Sequence, residues 1–199
     1  MTRKANDNYP TDIGLARWIV RHAAGLAILP KLPDRVLMLE PCCGDTAPFA
    51  TAGGELGFIP YGYDVRDVRP QLWDEGGLGC GQFDVYDVNY ERLHSFKHDD
   101  DYDGGPFNII ATNPPFTLGE AVVRKSLRML APNGCAAFLT KVAFLSTFER
   151  SKLFVQRPPA EVWLLRSRPS FTGDGKTDIA QEYAVSFWYG AELAGAMKT

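Results

Sequence analysis

Residues 113–116 read Asn-Pro-Pro-Phe and follow directly on the apolar run "FNIIAT" (107–112). A residue before proline is pushed to extended backbone, so Asn113 is held there, and Pro114 is restricted in turn by Pro115. Neither proline has an N–H to donate. The result is a stiff elbow that presents acceptors: the Asn113 side-chain oxygen and the Pro114 carbonyl. Phe116 adds an aromatic face beside them. Two acceptors and a ring suit a planar group carrying an exocyclic NH2, of which adenine is the obvious example. Taken alone, the same four residues also read as a strand-ending turn with a core phenylalanine.

Three other apolar segments end on groups that bind ligands. "RVLMLE" (35–40) runs into "PCCGDTA" (41–47). There Pro41 and Gly44 set a tight turn, and the helix that follows offers free N–H groups. Glu40 leaves the strand as a carboxylate able to accept hydrogen bonds from a cationic or hydroxylated ligand. Thr46 stands where a second glycine would complete a dinucleotide fingerprint, so a pyrophosphate is not expected at this turn. The segment "GFIPYGYDV" (57–65) delivers Asp64. An acid about 20 residues past such a turn commonly takes ribose hydroxyls. "QFDVYDV" (82–88) offers Asp84 and Asp87. Alternation puts these two on opposite sides of a strand, and Asp87 lies nearer its carboxyl end.

These ends need a scaffold. A helix is expected over about 12–28 with Thr11 as N-cap and Ile13, Leu15, Ala16, Ile19, Val20 and Ala23 on its apolar face. Strands are expected at 35–40, 57–65, 82–88, 107–112, 135–142, 160–167 and 182–190. Helical stretches fall at about 118–130, ended by "APNG", and at 144–155. The alternation argues an α/β fold: a Rossmann-like, doubly wound, seven-stranded, mostly parallel sheet with helices on both faces and the last strand antiparallel. In such sheets ligands bind outside the carboxyl ends of the strands.

The 199 residues suit one domain with a sizeable core. No apolar run is long enough to span a bilayer, and "MTRKANDNYP" has no apolar signal segment, so the expected location is the cytoplasm. The four cysteines include no CxxC, which points away from a disulfide framework or a zinc cage and toward buried thiols. Residues 1–112 carry a net charge of −7 and residues 113–199 a net charge of +4. The basic half could face phosphates, although scatter of surface charge explains the count equally well.

With these residues in place, the sequence resembles the class I S-adenosylmethionine-dependent methyltransferases. Within them it is similar to the amino-methyltransferases acting on adenine N6, in particular small DNA methylases of phage and prophage type. The resemblance rests on "NYPTDIGLA" (8–16), "LEPCCGDTA" (39–47), "GYDVRD" (62–67), "FDVYDV" (83–88) and "NPPF" (113–116). It covers roughly residues 8–190. It implies S-adenosyl-L-methionine as cofactor and DNA, or RNA, as partner. It implies further that Tyr9 and Thr11 border the methionine end of the cofactor, and that Glu40 contacts the methionine portion over a floor of Pro41, Cys42 and Gly44. Asp64 would hold the ribose with Val65 beside the adenine ring, and Asp87 the adenine amino group with Val88 nearby. Asn113 and Pro114 would accept from the target NH2, Pro115 completing the elbow, and Phe116 would stack on the target base.

On this reading residues 1–199 form a single methyltransferase catalytic domain, with a loose tail from about 191 and no separate target-recognition domain. The candidate recognition loop is "RPSFTGDGKTD" (168–178), where Phe171 could stack on a flipped base and Arg168 and Lys176 could touch phosphate. A solvated hairpin loop is the plain alternative. The expected chemistry needs no metal and no nucleophile. Two rival activities remain: methylation of an RNA base amino group or a protein glutamine amide, and a silent cofactor-binding module. Phe116, where glutamine-modifying enzymes tend to carry Tyr, favours a base. "DDDYDG" (99–104) imitates a calcium loop, but Ile110 stands where its last carboxylate belongs. His22, His94 and His98 complete no ligand set. The basic stretch "RKSLR" (124–128), and Arg150 and Lys152, could touch a phosphate backbone or simply be solvated.

Overall fold

A computed structural model describes residues 10–31, 35–64, 80–82, 107–167, 169 and 181–191. Helix α1 spans Ile13–Leu26. Its stripe Ala16, Ile19, Val20 and Ala23 follows helical spacing and is fully buried. The cap is Asp12, not Thr11: Asp12 Oδ1 accepts from the Leu15 N–H at 3.0 Å. The aspartate is one residue closer to the first turn, and this releases the Thr11 hydroxyl for another partner.

The sheet strands are β1 (Leu37–Glu40), β2 (Ile59–Asp64), β3 (Cys80–Gln82), β4 (Phe107–Thr112), β5 (Leu130–Lys141), β6 (Glu161–Leu164) and β7 (Tyr183–Tyr189). They form one seven-stranded sheet in the order β3-β2-β1-β4-β5-β7-β6. β1 to β5 are mutually parallel, and β7 runs antiparallel between β5 and β6. This is the expected doubly wound sheet with its last strand reversed. The chain moves outward from β1 to β3 and returns on the other side of β1 as β4. The order therefore reverses between β1 and β4, where a ligand crevice forms.

Pro60 sits inside β2 without disturbing it. The Ile59 N–H donates to Val36, so by alternation the Pro60 nitrogen faces β3, whose pairing among the described residues begins at Gly62.

Two apolar layers cover the sheet. On one side α1 and α2 (Pro48–Gly54) pack through Ile19, Val20 and Phe49 onto Met38, Ile109, Leu139 and Phe187. On the other, α3 (Gly119–Met129) and α4 (Ser151–Gln156) bring Val123, Leu127 and Leu153 against Ile110, Phe138 and Trp188. Each fully buried side chain of this size contributes ~1.5–3 kcal/mol of hydrophobic burial.

Two further expectations need correction. The stretch after α3 is not a helix-ending turn but the start of β5. Asn133 exchanges two hydrogen bonds with Ile28 just past α1, and these hold it extended. Residues 144–155 are not one helix. Two 3₁₀ turns, Val142–Ser146 and Phe148–Arg150, precede α4, with extended Thr147 between them. Phe148 and Val155 are 88% and 82% exposed, so no apolar stripe exists to hold a longer helix. The third strand is described at Cys80–Gln82, and residues 83–88 of the expected strand lie outside the described residues. Cys42, Cys43 and Cys135 are free thiols.

Candidate active site at the carboxyl ends of the strands

The turn after β1 is built from both strand ends. Its path needs a left-handed backbone at Gly44 (φ 59°), which glycine adopts at no steric cost, and a second at Ala47 (φ 41°). That second position directly follows Thr46, where the chain lacks the extra glycine of the fingerprint. Asp64, at the end of β2, accepts from the Gly44 N–H through Oδ2 at 3.0 Å, and Cys43 donates to the Tyr63 carbonyl at 2.8 Å. Strand end and turn are thereby locked together.

Glu40 is 1% exposed, and its Oε2 accepts from the Ala50 N–H at 2.8 Å. It caps α2, which has no cap from its own flanking residue Ala47. Burial holds its carboxyl well above the usual range, opposed by the amides of Ala50 and Phe49. Burial also pushes the Cys42 and Cys43 thiols up, with Asp64 and Glu40 adding to the effect. Both stay protonated, so neither supplies a thiolate.

On the far side of the crevice, Asn113 leaves β4 and donates through Nδ2 to the Thr11 hydroxyl at 3.3 Å. The amide is planar, so its Oδ1 lies on the opposite branch. The Pro115 carbonyl is taken by the Leu118 N–H at 3.0 Å, which makes Pro115 the turn-forming member of the elbow. Among the described residues no hydrogen bond reaches the Pro114 carbonyl. Phe116 packs on the core cluster that contains Tyr183, their centroids 6.4 Å apart. A cleft of about 220 Å³ opens at this elbow, lined by Pro114, Pro115, Phe116, Lys141, Phe144 and Arg150 among others.

Of the residues singled out in the sequence, the structure gathers Thr11, Glu40, Pro41, Cys42, Gly44, Asp64, Asn113, Pro114, Pro115 and Phe116 at one end of the sheet. Tyr9, Val65, Asp87, Val88, Arg168, Phe171 and Lys176 lie outside the described residues, as do Asp84, His94, His98 and the acidic stretch 99–104. The basic stretch on α3 does not present a free cationic face. Arg124 pairs with Glu120 at 2.8 Å, and Lys125 is 6% exposed. His22 stacks on Trp18 and pairs at 3.1 Å with Glu161, the first residue of β6. Sequence reasoning missed Lys141. Its sequence context is ordinary, and the one signal is that it closes β5, since the ends of four other strands had been weighed.

Solved structures share this architecture at low identity. A structure assigned to the class I S-adenosylmethionine-dependent methyltransferases, from Listeria monocytogenes, aligns over 94% of this chain with a TM-score of 0.60 and 16% identity. The fold is that of the class I methyltransferases. The rRNA methyltransferase aviRa from Streptomyces viridochromogenes aligns over 98% of this chain and 91% of its own, with a TM-score of 0.57 and 12% identity. The methyltransferase subunit of a type I restriction-modification system from Streptococcus thermophilus gives a TM-score of 0.65 over 94% of this chain at 11% identity. This chain spans 62% of the Listeria structure and 46% of the Streptococcus one. No protein-family model and no curated protein matches the sequence. Among the described residues no helix is long and apolar enough to cross a membrane.

Proposed function

We propose that the chain transfers a methyl group from S-adenosylmethionine to the exocyclic N6 amino group of adenine in DNA, as a single catalytic domain. The observation that carries this reading is the pairing across the switch point: the Gly44–Asp64 turn on one side and the Asn113-Pro114-Pro115-Phe116 elbow on the other, on a methyltransferase fold. The likeness to DNA and RNA methyltransferases supports a nucleic-acid acceptor, and the phage-type sequence resemblance supports DNA and N6.

The residues fit the cofactor. Asp64 is a carboxylate at the end of β2, suited to ribose hydroxyls, and the Gly44 turn leaves the backbone room to approach a ligand. Thr11, Cys42 and the Glu40-capped turn would border its methionine end, with Tyr9, Val65, Asp87 and Val88 completing the site. When bound, the cofactor supplies an electrophilic methyl group on a sulfonium.

The chain's part is to position the acceptor and stabilise its charge. Asn113 Oδ1 and the Pro114 carbonyl take the two N–H bonds of the amine and favour the positive charge that grows on its nitrogen. The prolines keep competing donors out of the elbow. A strong base is not required, because the proton leaves after the charge has formed. The recognition loop 168–178 would then choose the target.

The test is transfer of radiolabelled methyl to single- and double-stranded DNA, RNA and a glutamine-containing protein, followed by nucleoside analysis. N6-methyladenine in DNA is the expected product. Asn113→Ala should lower the rate by about 10²–10³-fold with cofactor binding retained. Label found only in RNA or in protein would reassign the acceptor.

A further inference from the structure

The cleft at the elbow holds two cations, Lys141 and Arg150, and no carboxylate among its described lining residues. Lys141 is the final residue of β5, and its Nζ stands over the Phe116 ring, 3.7 Å from the centroid. That is about the separation of two stacked rings, so the ammonium fills the place a flat base takes on that face. Arg150 is held differently. Its Nη1 donates to Thr147 Oγ1 at 2.9 Å and to the Phe144 carbonyl at 3.3 Å, and the guanidinium lies 4.5 Å from the Phe144 centroid. Both hydrogen bonds use Nη1, which leaves the N–H groups of Nε and Nη2 for a ligand. Thr140, also in the lining, is 4% exposed, and its hydroxyl has no hydrogen-bond partner among the described residues. A buried unpartnered hydroxyl is costly unless something completes it.

We propose that this cleft is the seat of the target nucleotide and that Lys141 is an exchangeable placeholder within it. In the free protein the ammonium occupies the stacking face of Phe116. When the base slides onto the ring, the flexible lysine stem swings the charge to the adjoining phosphate, beside the pre-set Arg150. The inference rests on the nucleic-acid reading above and deepens it. A neutral glutamine amide has no use for two cations beside an aromatic face, whereas a nucleotide has a phosphate and a ring to satisfy both.

The two halves of the exchange give opposite signs. Binding of a fluorescent single-stranded adenine-containing oligodeoxynucleotide is measured against salt, and adenosine binding is followed by ligand-observed NMR. Lys141→Met is expected to weaken the oligonucleotide and to reduce the slope of log affinity against log salt by about 0.7, the share of one phosphate contact on a single strand. The same variant should bind adenosine roughly two- to fivefold more tightly, because the competing cation has left the ring. Lys141→Arg should keep the slope. Arg150→Met should lower the slope by about 0.7 and leave adenosine unchanged.

An unchanged slope in Lys141→Met, or adenosine weakened along with the oligonucleotide, overturns the placeholder. So does a wild-type protein that does not bind the oligonucleotide. Because these are binding measurements, they separate from the activity: crossed signs without any methyl transfer would keep the nucleotide seat and reject the enzyme, while label on protein without oligonucleotide binding would reject both.

Discussion

The side-chain amide of Asn113 donates to the hydroxyl of Thr11 at 3.3 Å, joining residues 102 positions apart. This bond fixes which branch of the amide faces away from α1. Thr11 is available for it only because Asp12 caps the helix. The residue that orients the elbow is therefore set by local chemistry at the start of α1.

Thr11→Val removes the hydroxyl and keeps the shape. One hydrogen bond of about 1 kcal/mol then no longer selects the amide orientation. We expect kcat/KM for methyl transfer to fall roughly fivefold with a nearly unchanged melting temperature. Steady-state kinetics beside a thermal melt checks this. An equal loss in both would mean that Thr11 only supports the fold.

Glu40 gives a pH signature. Its folded pKa is raised, so the native state holds this proton more firmly than the unfolded chain does. The sign follows: its contribution is full below the ordinary carboxyl value of 4.5 and is lost as pH rises through the folded value. Glu40→Gln stays neutral and keeps an acceptor for the Ala50 amide. The stability of the variant relative to wild type should therefore rise from acid toward neutral pH, as read from denaturant midpoints across that range.

Two glycines should be intolerant for different reasons. Gly44 has φ 59°, so Gly44→Ala should cost about 1–2 kcal/mol in backbone strain. A Cβ at Gly190 would lie 2.1 Å from the Ala131 carbonyl oxygen, a backbone atom that cannot step aside. Gly190→Ala should cost about 4 kcal/mol or more. Urea unfolding of both variants ranks them, and the reverse order would contradict this account.

Glu161 accepts from Trp163, Tyr189 and His22 at 2.8, 2.9 and 3.1 Å. Burial first, and then this carboxylate, push the Tyr189 hydroxyl up to about 12. In Glu161→Gln the hydroxyl should titrate at lower pH while staying above 10, because the burial remains. Phenolate absorbance in alkaline titration, with Tyr189→Phe identifying the band, reads the change.

The sheet was legible because parallel buried strands announce themselves as short apolar runs such as "LMLE" and "FNIIAT". The elbow was legible because paired prolines restrict the backbone whatever surrounds them. Tertiary effects were not. Asn133 is held extended by Ile28, 105 positions away, and no local pattern encodes that. Glu40 was read as a ligand contact; that its Oε2 caps α2 was not legible, because the cap follows from a helix that begins at Pro48 after a left-handed alanine with no capping side chain. Lys141 was hidden by its ordinary sequence context; only the placement of β5 beside β4 sets it over Phe116.

The reversal of β7 has a consequence during synthesis. β7 is buried along all seven residues, and among the described strands β6 ends the sheet with β7 as its one neighbour. A ribosome delivers β5 and β6 first, with no partner for β6 and an open edge on β5. The strand that seals both, Tyr183–Tyr189, is made only after them. Until then the nascent protein shows an unpaired edge beside the exposed Trp163 and Leu164, a template for mispairing. Completion of this sheet, and with it of the wall behind Phe116, thus waits on a strand made after both of its neighbours.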